Sequence, residues 1–175
     1  MIWGVTGSVG AGKSTVATIL ASFGARVLDV DEVAARALAE SSLGLTAAQA
    51  LAAVVTGGPD RARIEAALIP VVENRIAEWA AASEVPGVLD SALLFEHGLE
   101  RFCDFTVCVS CPIEERRRRV TQRNTASARL FDAIEASQWP ESEKARRSTL
   151  QVSGQGDPTA ALRQAWSVPL GEGRH

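Results

Sequence analysis

The chain begins with an apolar run, a glycine-rich loop and an amphipathic stretch, in that order. Residues 1–6 are mostly apolar, residues 7–14 match the pattern G-x4-G-K-[S/T], and residues 14–23 repeat apolar side chains at helical spacing. In this context the pattern predicts a phosphate-binding loop between a buried parallel strand and a helix. The alternative, a glycine turn with an exposed lysine, does not account for the strand and helix on either side. The opening segment therefore predicts an α/β fold of the P-loop type.

The residue types in this loop match the chemistry of a bound nucleoside triphosphate. Glycines let successive backbone N–H groups turn towards a phosphate, at a helix N-terminus whose dipole favours anions. Lys13 would place a positive charge at the terminal phosphates, and the hydroxyl of Ser14 would coordinate Mg²⁺. We therefore expect the nucleotide site at the start of the chain.

Strand and helix candidates alternate along the rest of the chain. Further strands are predicted at residues 26–30, 87–90, 105–109 and 150–152, and helical segments at 32–39, 46–83, 112–123, 126–138, 141–147 and 158–166. This alternation predicts a three-layer P-loop NTPase-type fold, with a parallel sheet of about five strands between helices. In such folds the ligands lie at the carboxyl ends of the strands. The long helical segment is expected to break at residues 57–59 and to kink at Pro70.

Charge and composition exclude several classes of function. Lysine and arginine total 18 and aspartate and glutamate 21, so the net charge of −3 leaves no basic excess for a nucleic-acid backbone. The uncharged stretch at 41–59 is interrupted too often by polar residues to span a membrane. The N-terminus has no basic segment before its apolar residues, as a secretory signal would, so a cytoplasmic location is the expectation.

The cysteines match two metal-site patterns only in part. Cys103, Cys108 and Cys111 have the spacing of plant-type iron–sulfur ligands, but the sequence has no fourth cysteine to complete a cluster. The last two also match the C-x-x-C pattern of redox and zinc sites. We favour a structural interpretation, with Cys108 as a small apolar side chain in the strand at 105–109.

A nucleoside triphosphate site can serve a switch, a motor or a kinase. The sequence contains neither the D-x-x-G switch motif nor the N-K-x-D base-recognition motif of GTPases. A motor normally needs more chain than 175 residues. A small-molecule kinase fits in one compact domain, so phosphoryl transfer to a small molecule is the favoured activity.

Carboxylates follow the second and third predicted strands. Asp29 and Asp31 end the second strand and share one face if the strand stays extended. Asp31 is placed to take the proton of an acceptor hydroxyl, and equally to cap a helix beginning at Glu32. Asp90 ends the third strand, where an acid of P-loop proteins holds Mg²⁺, although a turn aspartate is the alternative. His97 is a single loop histidine that we expect to be solvated.

Three arginines recur at positions i, i+3 and i+7 of the predicted helix at 112–123: Arg116, Arg119 and Arg123. A solvated helix face is the simple interpretation, and we adopt it for Arg117 and Arg118, paired with the two preceding glutamates. Arg119 and Arg123 stand where the helix meets the polar stretch at 124–127, which could close over ATP. Arginine binds phosphate oxygens in a bidentate manner, so we predict that these two face the nucleotide.

Several segments resemble the dephospho-CoA kinase family, whose members phosphorylate the ribose 3′-hydroxyl of dephospho-CoA. The matching segments are TGSVGAGKST at 6–15, VLDVD at 27–31, GPDR at 58–61, LDSALLFE at 89–96, RVTQR at 119–123, and Gln138 with Lys144. They occur in the order of the family and span nearly the whole chain. Ala92 and Ile69 stand where the family has proline and histidine, and the stretch between residues 40 and 61 is shorter than usual. The chain thus resembles a divergent and shortened member.

The resemblance implies ATP and Mg²⁺ as cofactors and dephospho-CoA as a small-molecule partner. With the reasoning above, it gives Asp31 as the catalytic base, aided by Lys13 and by Arg123 in a lid. The residues expected to bind ATP are Gly7, Gly10, Ala11, Gly12, Lys13, Ser14, Thr15 and Arg119, and those expected to bind the metal are Ser14 and Asp90. Two alternatives stay open: a kinase for another acceptor, such as a nucleoside monophosphate or a sugar, and a nucleotide-binding regulator without transfer activity.

The length favours one domain that can bury a core without disulfides or metals. We predict a single P-loop kinase domain over residues 1–168, with its core at about 1–40 and 84–168. A helical insertion on the acceptor side is expected at about 41–83 and a lid at about 119–140. Residues 169–175 are expected to form a disordered tail, and the sequence leaves the oligomeric state open.

Overall fold

Five parallel strands form one sheet in the computed structural model, which describes residues 1–57, 59–123 and 128–167. The strands are β1 (Ile2–Thr6), β2 (Arg26–Asp29), β3 (Gly87–Asp90), β4 (Phe105–Ser110) and β5 (Leu150–Ser153). Their order across the sheet is β2-β3-β1-β4-β5, and all neighbouring pairs are parallel. The predicted α/β fold with a parallel sheet of about five strands is confirmed.

The helices lie close to where the apolar periodicity predicts them. They are α1 (Lys13–Ser22), α2 (Val30–Glu40), α3 (Ala47–Thr56), α4 (Pro59–Ala81), α5 (Ile113–Arg123), α6 (Phe131–Ser137), α7 (Glu141–Arg147) and α8 (Thr159–Trp166), with a 3₁₀ turn at Leu99–Phe102. Of the helix predicted at 126–138, the described part has helical residues 128–129 and then α6. The polar stretch at 124–127 and the tail at 169–175 lie outside the described residues.

The sheet separates two apolar cores, as a three-layer fold requires. Successive residues of a strand point to opposite faces, and the adjacent β3 residues Val88 and Leu89 enter different cores. Val88 packs with residues of α1 and α8, whereas Leu89 packs with residues of α2 and α4. Both side chains are fully buried, and β1 lies between β3 and β4 in the middle of the sheet. The loop after β1 therefore leaves the carboxyl edge of the sheet at its centre.

The insertion predicted at about 41–83 contains α3 and α4. A capping box starts α3, because the side chains of Thr46 and Gln49 each bond the other's backbone N–H. Gly57 ends α3 at a φ of 75°, as the predicted break requires. Pro70 lies inside α4 with its ring exposed, so the helix continues through it at the loss of one backbone hydrogen bond. A small apolar core joins α3 and α4 to the end of α2.

The structure supports the structural interpretation of Cys108. Cys108 is fully buried in β4, and burial raises the pKa of its thiol to about 11. Within the described ranges, no group of three or more histidine, cysteine, aspartate or glutamate residues could hold a metal ion. In the same part of the chain, no helix combines the length and apolarity needed to cross a membrane.

Candidate active site

The glycine-rich loop connects β1 to α1 with its backbone turned inward. Gly10 has a φ of 79°, and a Cβ at this position would lie 2.7 Å from the carbonyl oxygen of Arg116 in α5. Gly12 precedes α1 at a φ of 105°, and it provides no side chain to cap the helix. The first N–H groups of α1 are consequently available to an anion, and the dipole of the helix favours its binding. The loop has the form that the sequence predicts for residues 7–15.

Arg119 lies against the outside of this loop. Its Nη1 donates to the carbonyl oxygen of Ala11 at 3.3 Å, and its Nη2 to that of Gly154 after β5 at 2.8 Å. Its Nε donates to Glu115 one turn earlier in α5 at 2.8 Å. The guanidinium thus holds the loop and the end of β5 together, next to the predicted nucleotide. Its contact with ATP stays a prediction.

The side chain of Lys13 lies inside the loop and is surrounded by carboxylates. Its Nζ donates to the carbonyl oxygen of Gly7 at 3.2 Å. Burial lowers the pKa of Lys13, while the negative charges of Asp31, Asp90 and Asp29 counteract this shift. The three predicted functional groups, Lys13, Asp31 and Asp90, therefore meet at the carboxyl edge of the sheet.

Asp90 lies at the end of β3 and is almost completely buried, with 7% of its surface exposed. Burial raises the pKa of its carboxyl group to about 6, and the neighbouring Asp31 and Asp29 add to this shift. Lys13 and a hydrogen bond from Ser14 act in the opposite direction. Ser14 and Asp90, which the sequence predicts as metal ligands, thus lie near each other beside Lys13.

The sequence-based assignment of the helix cap after β2 is wrong. The strand ends at Asp29 rather than at residue 30, and α2 begins at Val30. Asp29 is the N-cap, and its Oδ1 accepts the backbone N–H of Glu32 at 2.9 Å. Asp31 is instead the second residue of α2, so it does not share an extended strand face with Asp29. Its carboxylate is therefore not occupied by the capping bond.

The environment of Asp31 suits a group that takes up a proton. Water reaches the side chain from the open side, but the protein around it desolvates the carboxylate and raises its pKa. The charge of Asp29 also raises this pKa, whereas Lys13, the backbone N–H of Ala92 and His97 lower it. Burial thus makes the carboxylate more basic, and Lys13, the N–H of Ala92 and His97 offset part of this rise in its pKa.

An apolar cavity of about 130 Å³ lies beside Asp31, between the segment that follows β3 and the helices α2, α3 and α4. Its polar lining consists of Asp31, Ser91, Glu65 and His97. The expectation that His97 is solvated is wrong, since its ring is half-buried and its Nε2 lies 3.4 Å from Oε1 of Glu65. A cavity that ends at a candidate base is a suitable place for an acceptor molecule.

Arg116 has a structural role that the sequence did not reveal. It is 4% exposed, and its guanidinium binds both carboxylate oxygens of Glu135 in α6, at 2.5 and 2.6 Å. It also donates to the carbonyl oxygens of Cys111 and Val9, so it joins the loop to α6. Arg117 pairs with Asp132 rather than with a preceding glutamate. The i, i+3, i+7 spacing placed Arg116 and Arg117 on different faces of the helix. It could not reveal Glu135, the partner of Arg116, which lies 19 residues further along the chain.

Lys144 is a second residue whose place the sequence did not reveal. The chain contains only two lysines, Lys13 and Lys144. Lys144 is fully buried in α7, and its charge is close enough to contribute to the lowered pKa of Lys13. Two signals in the sequence mark Lys144, the scarcity of lysine among eighteen basic residues and its match, with Gln138, to the family, but neither shows that it is buried.

Arg123 is the last residue of α5, one turn beyond Arg119, and its side chain is exposed. The polar stretch that follows it lies outside the described residues. Its predicted part in catalysis therefore stays a prediction, as does the lid at about 119–140.

Comparisons with known proteins identify the family of the chain. A family model described as dephospho-CoA kinase matches residues 1–54 and 44–158. A dephospho-CoA kinase of Thermus thermophilus is 39% identical over 89% of this chain and 84% of its own length, and one of Deinococcus radiodurans is 36% identical over 91% and 86%. A solved structure of a Thermus thermophilus protein, 37% identical, superimposes with a TM-score of 0.76 over 95% of this chain and 94% of that one. The resemblance seen in the sequence is confirmed, and the chain belongs to the dephospho-CoA kinase family.

Proposed function

We propose that this protein transfers the γ-phosphoryl group of ATP to the ribose 3′-hydroxyl of dephospho-CoA, giving coenzyme A and ADP. The main support is the position of Asp31, which faces Lys13 of the phosphate-binding loop and lines the neighbouring apolar cavity. A hydroxyl bound between them would have a base on one side and the terminal phosphate on the other. Membership of the family supports dephospho-CoA as the acceptor.

The loop binds and neutralises the phosphates in this proposal. The N–H groups at the start of α1 and the ammonium group of Lys13 are fixed before the nucleotide binds. Fixed donors of this kind stabilise the charge on the transferred group without having to reorganise during the reaction. Lys13 would exchange its bond to the carbonyl oxygen of Gly7 for one to a phosphate oxygen.

Asp31 acts as the general base. It accepts the proton of the 3′-hydroxyl while the oxygen of that hydroxyl bonds to the γ-phosphorus and the bond to the ADP oxygen breaks. The raised pKa of Asp31 makes its carboxylate a stronger proton acceptor than an exposed aspartate. Because only the ionised form is a base, turnover should decline on the acidic side of this pKa.

Mg²⁺ fits the residues that lie next to Lys13. The hydroxyl of Ser14 and the carboxylate of Asp90 are hard oxygen ligands, and they lie near each other. When held by these two residues, the ion would neutralise part of the negative charge of the bound phosphates. Asp90 would be ionised in that complex, since a cation favours the charged form of its ligand.

The arginines of α5 complete the proposed nucleotide site. Arg119 holds the loop at Ala11 and presents its guanidinium beside Gly12, so a contact with ATP requires only a small change. We assign Arg123 to the lid that closes over the phosphates and excludes water. Arg61 in the insertion donates to the carbonyl oxygen of Ser137 in α6. This contact joins the insertion to the part of the chain that we assign to the lid. The predicted cytoplasmic location is part of this proposal.

Transfer from labelled ATP to a set of acceptors tests the activity. We expect labelled product with dephospho-CoA and little with adenosine monophosphate, a sugar or no acceptor. Preferential labelling of another acceptor would show a kinase of different specificity, and tight ATP binding without any product would show a regulator. Lys13→Ala is the control for the site, because it removes the central cation of the loop.

A further inference from the structure

A buried ion pair connects α7 to the loop that follows β3. The side chain of Lys144 is fully buried and that of Glu96 is 3% exposed, and Nζ lies 2.8 Å from Oε1. The same Oε1 accepts the backbone N–H of Trp139 at 2.9 Å. Desolvation of both charges offsets most of their attraction, so such a pair contributes little to stability compared with apolar side chains. Stability alone is therefore a weak reason for burying two charges here.

The second contact of Lys144 points to another role. Its Nζ also donates to the carbonyl oxygen of Ala92 at 2.6 Å, and Oγ1 of Thr6 at the end of β1 approaches the same oxygen at 3.4 Å. The backbone N–H of this residue lies close enough to the carboxylate of Asp31 to lower its pKa. Ala92 thus has Lys144 on its carbonyl side and Asp31 on its amide side. Because both groups belong to one residue, the hydrogen bond from Lys144 to the carbonyl oxygen of Ala92 also limits the movement of the Ala92 N–H group.

We propose that Lys144 is a positioning residue for phosphoryl transfer, which acts through Ala92 to hold the carboxylate of Asp31 at the acceptor hydroxyl. The inference rests on the proposed function, in which Asp31 is the base. Lys144 has no exposed surface with which to reach substrate, because its ammonium group is enclosed with Glu96 and Ala92. It therefore acts through the backbone and not on the phosphates.

The segment that carries Lys144 also contacts the phosphate-binding loop. Oε1 of Gln138 accepts the backbone N–H of Val9 at 3.1 Å, six residues before Lys144. Residues 138–144 therefore bind both the nucleotide loop and the loop behind the candidate base. Such a connection aligns the two reacting groups, and small errors of alignment reduce the rate strongly.

The double variant Lys144→Met/Glu96→Gln tests the proposal without leaving a charge buried alone. Its glutamine can still accept the N–H of Trp139, while the carbonyl oxygen of Ala92 loses its shorter hydrogen bond, the one from Lys144. We expect turnover with dephospho-CoA to fall about tenfold, with the dissociation constant of ATP, measured by calorimetric titration, within about twofold of wild type. Arg146→Met is the matched control, since it removes an exposed positive charge from the same helix, and it should retain wild-type turnover.

A double-mutant cycle with Asp31→Asn separates positioning from a general effect on folding. If Lys144 acts through Asp31, the double substitution should lower turnover about tenfold with Asp31 present and less than about twofold in the Asp31→Asn background. Equal losses in both backgrounds, unchanged turnover in the presence of Asp31, or weakened ATP binding would overturn the proposal. Wild-type transfer and its loss in Asp31→Asn test the proposed function independently of Lys144.

Discussion

Replacement of Asp90 by asparagine should stabilise the ligand-free protein at neutral pH while lowering its activity. Burial raises the pKa of Asp90 to about 6, from an ordinary value of 3.8, in spite of the neighbouring Lys13. An acid with a higher pKa in the folded state binds its proton more tightly when folded, so its ionisation opposes folding. The penalty is absent below the ordinary pKa of 3.8, grows between the two values and is complete above a pH of about 6.

The size of this effect follows from the shift. A pKa raised by about 2 units corresponds to about 3 kcal/mol of unfolding free energy at full ionisation. Asp90 is 7% exposed, so screening by solvent reduces this figure only slightly. Asparagine keeps an oxygen that can accept the bond from Ser14 but carries no charge. We therefore expect Asp90→Asn to gain up to about 3 kcal/mol at about pH 8 and almost nothing at about pH 4.

Urea unfolding of both proteins between about pH 4 and pH 8 measures the difference. The advantage of Asp90→Asn should increase with pH and level off above the folded-state pKa. Addition of Mg²⁺ should stabilise the wild type and have little effect on the variant, because only the wild type has the charged ligand. A difference in unfolding free energy that does not change with pH would refute the reasoning.

Three further substitutions test the loop and its supports. Arg116→Met should lower the unfolding free energy by about 3 kcal/mol, because it leaves a partly buried glutamate and two carbonyl groups without their donor. Arg117→Met removes an arginine from a more exposed ion pair, so it should leave the unfolding free energy, measured with denaturant, nearly unchanged. Gly154→Ala places a Cβ 2.0 Å from the carbonyl oxygen of Ala11, so ATP titration should show about tenfold weaker binding; normal affinity would mean that the loop moves freely. Lys13→Ala should lower both ATP affinity and turnover, and an unchanged rate would remove the loop from the mechanism.

The fold was predictable because its signals are local. The run before Gly7, the glycine-rich pattern and the apolar spacing after Ser14 lie within about two dozen residues, and each agrees with the others. The break at Gly57 likewise depends on a single backbone conformation that glycine adopts readily. Such signals predict the type of an element more reliably than its end points.

The exact end of β2 could not be predicted from the same kind of signal. Asp29 and Asp31 are equally suited to cap a helix, and residue type alone does not choose between them. The choice depends on pairing with β3, where Asp29 lies opposite Asp90 as the last residue of both strands. The helix starts two residues earlier than predicted, which moves Asp31 from the cap into α2 and leaves its carboxylate free of the capping bond.

The ion pairs that hold the site in place could not be predicted from the sequence, because they join distant parts of the chain. Glu96 and Lys144 are 48 positions apart, and His97 and Glu65 are 32 apart. In the sequence these four residues look like ordinary charged surface residues. Their structural role depends on burial, which only the packing of the helices reveals. The chemistry-bearing residues at strand ends were thus easier to find than the residues that hold them in place.

Turnover of Asp31→Asn compared with Asp29→Asn, measured as dephospho-CoA-dependent release of ADP, tests the central claim most directly. Asp29→Asn is a matched control, because asparagine also caps helices and the same charge is removed two residues away. We predict that Asp31→Asn lowers turnover by about 10²-fold or more with unchanged ATP affinity, while Asp29→Asn stays within a few-fold of wild type. Wild-type turnover in Asp31→Asn, or equal losses in both variants, would contradict the account.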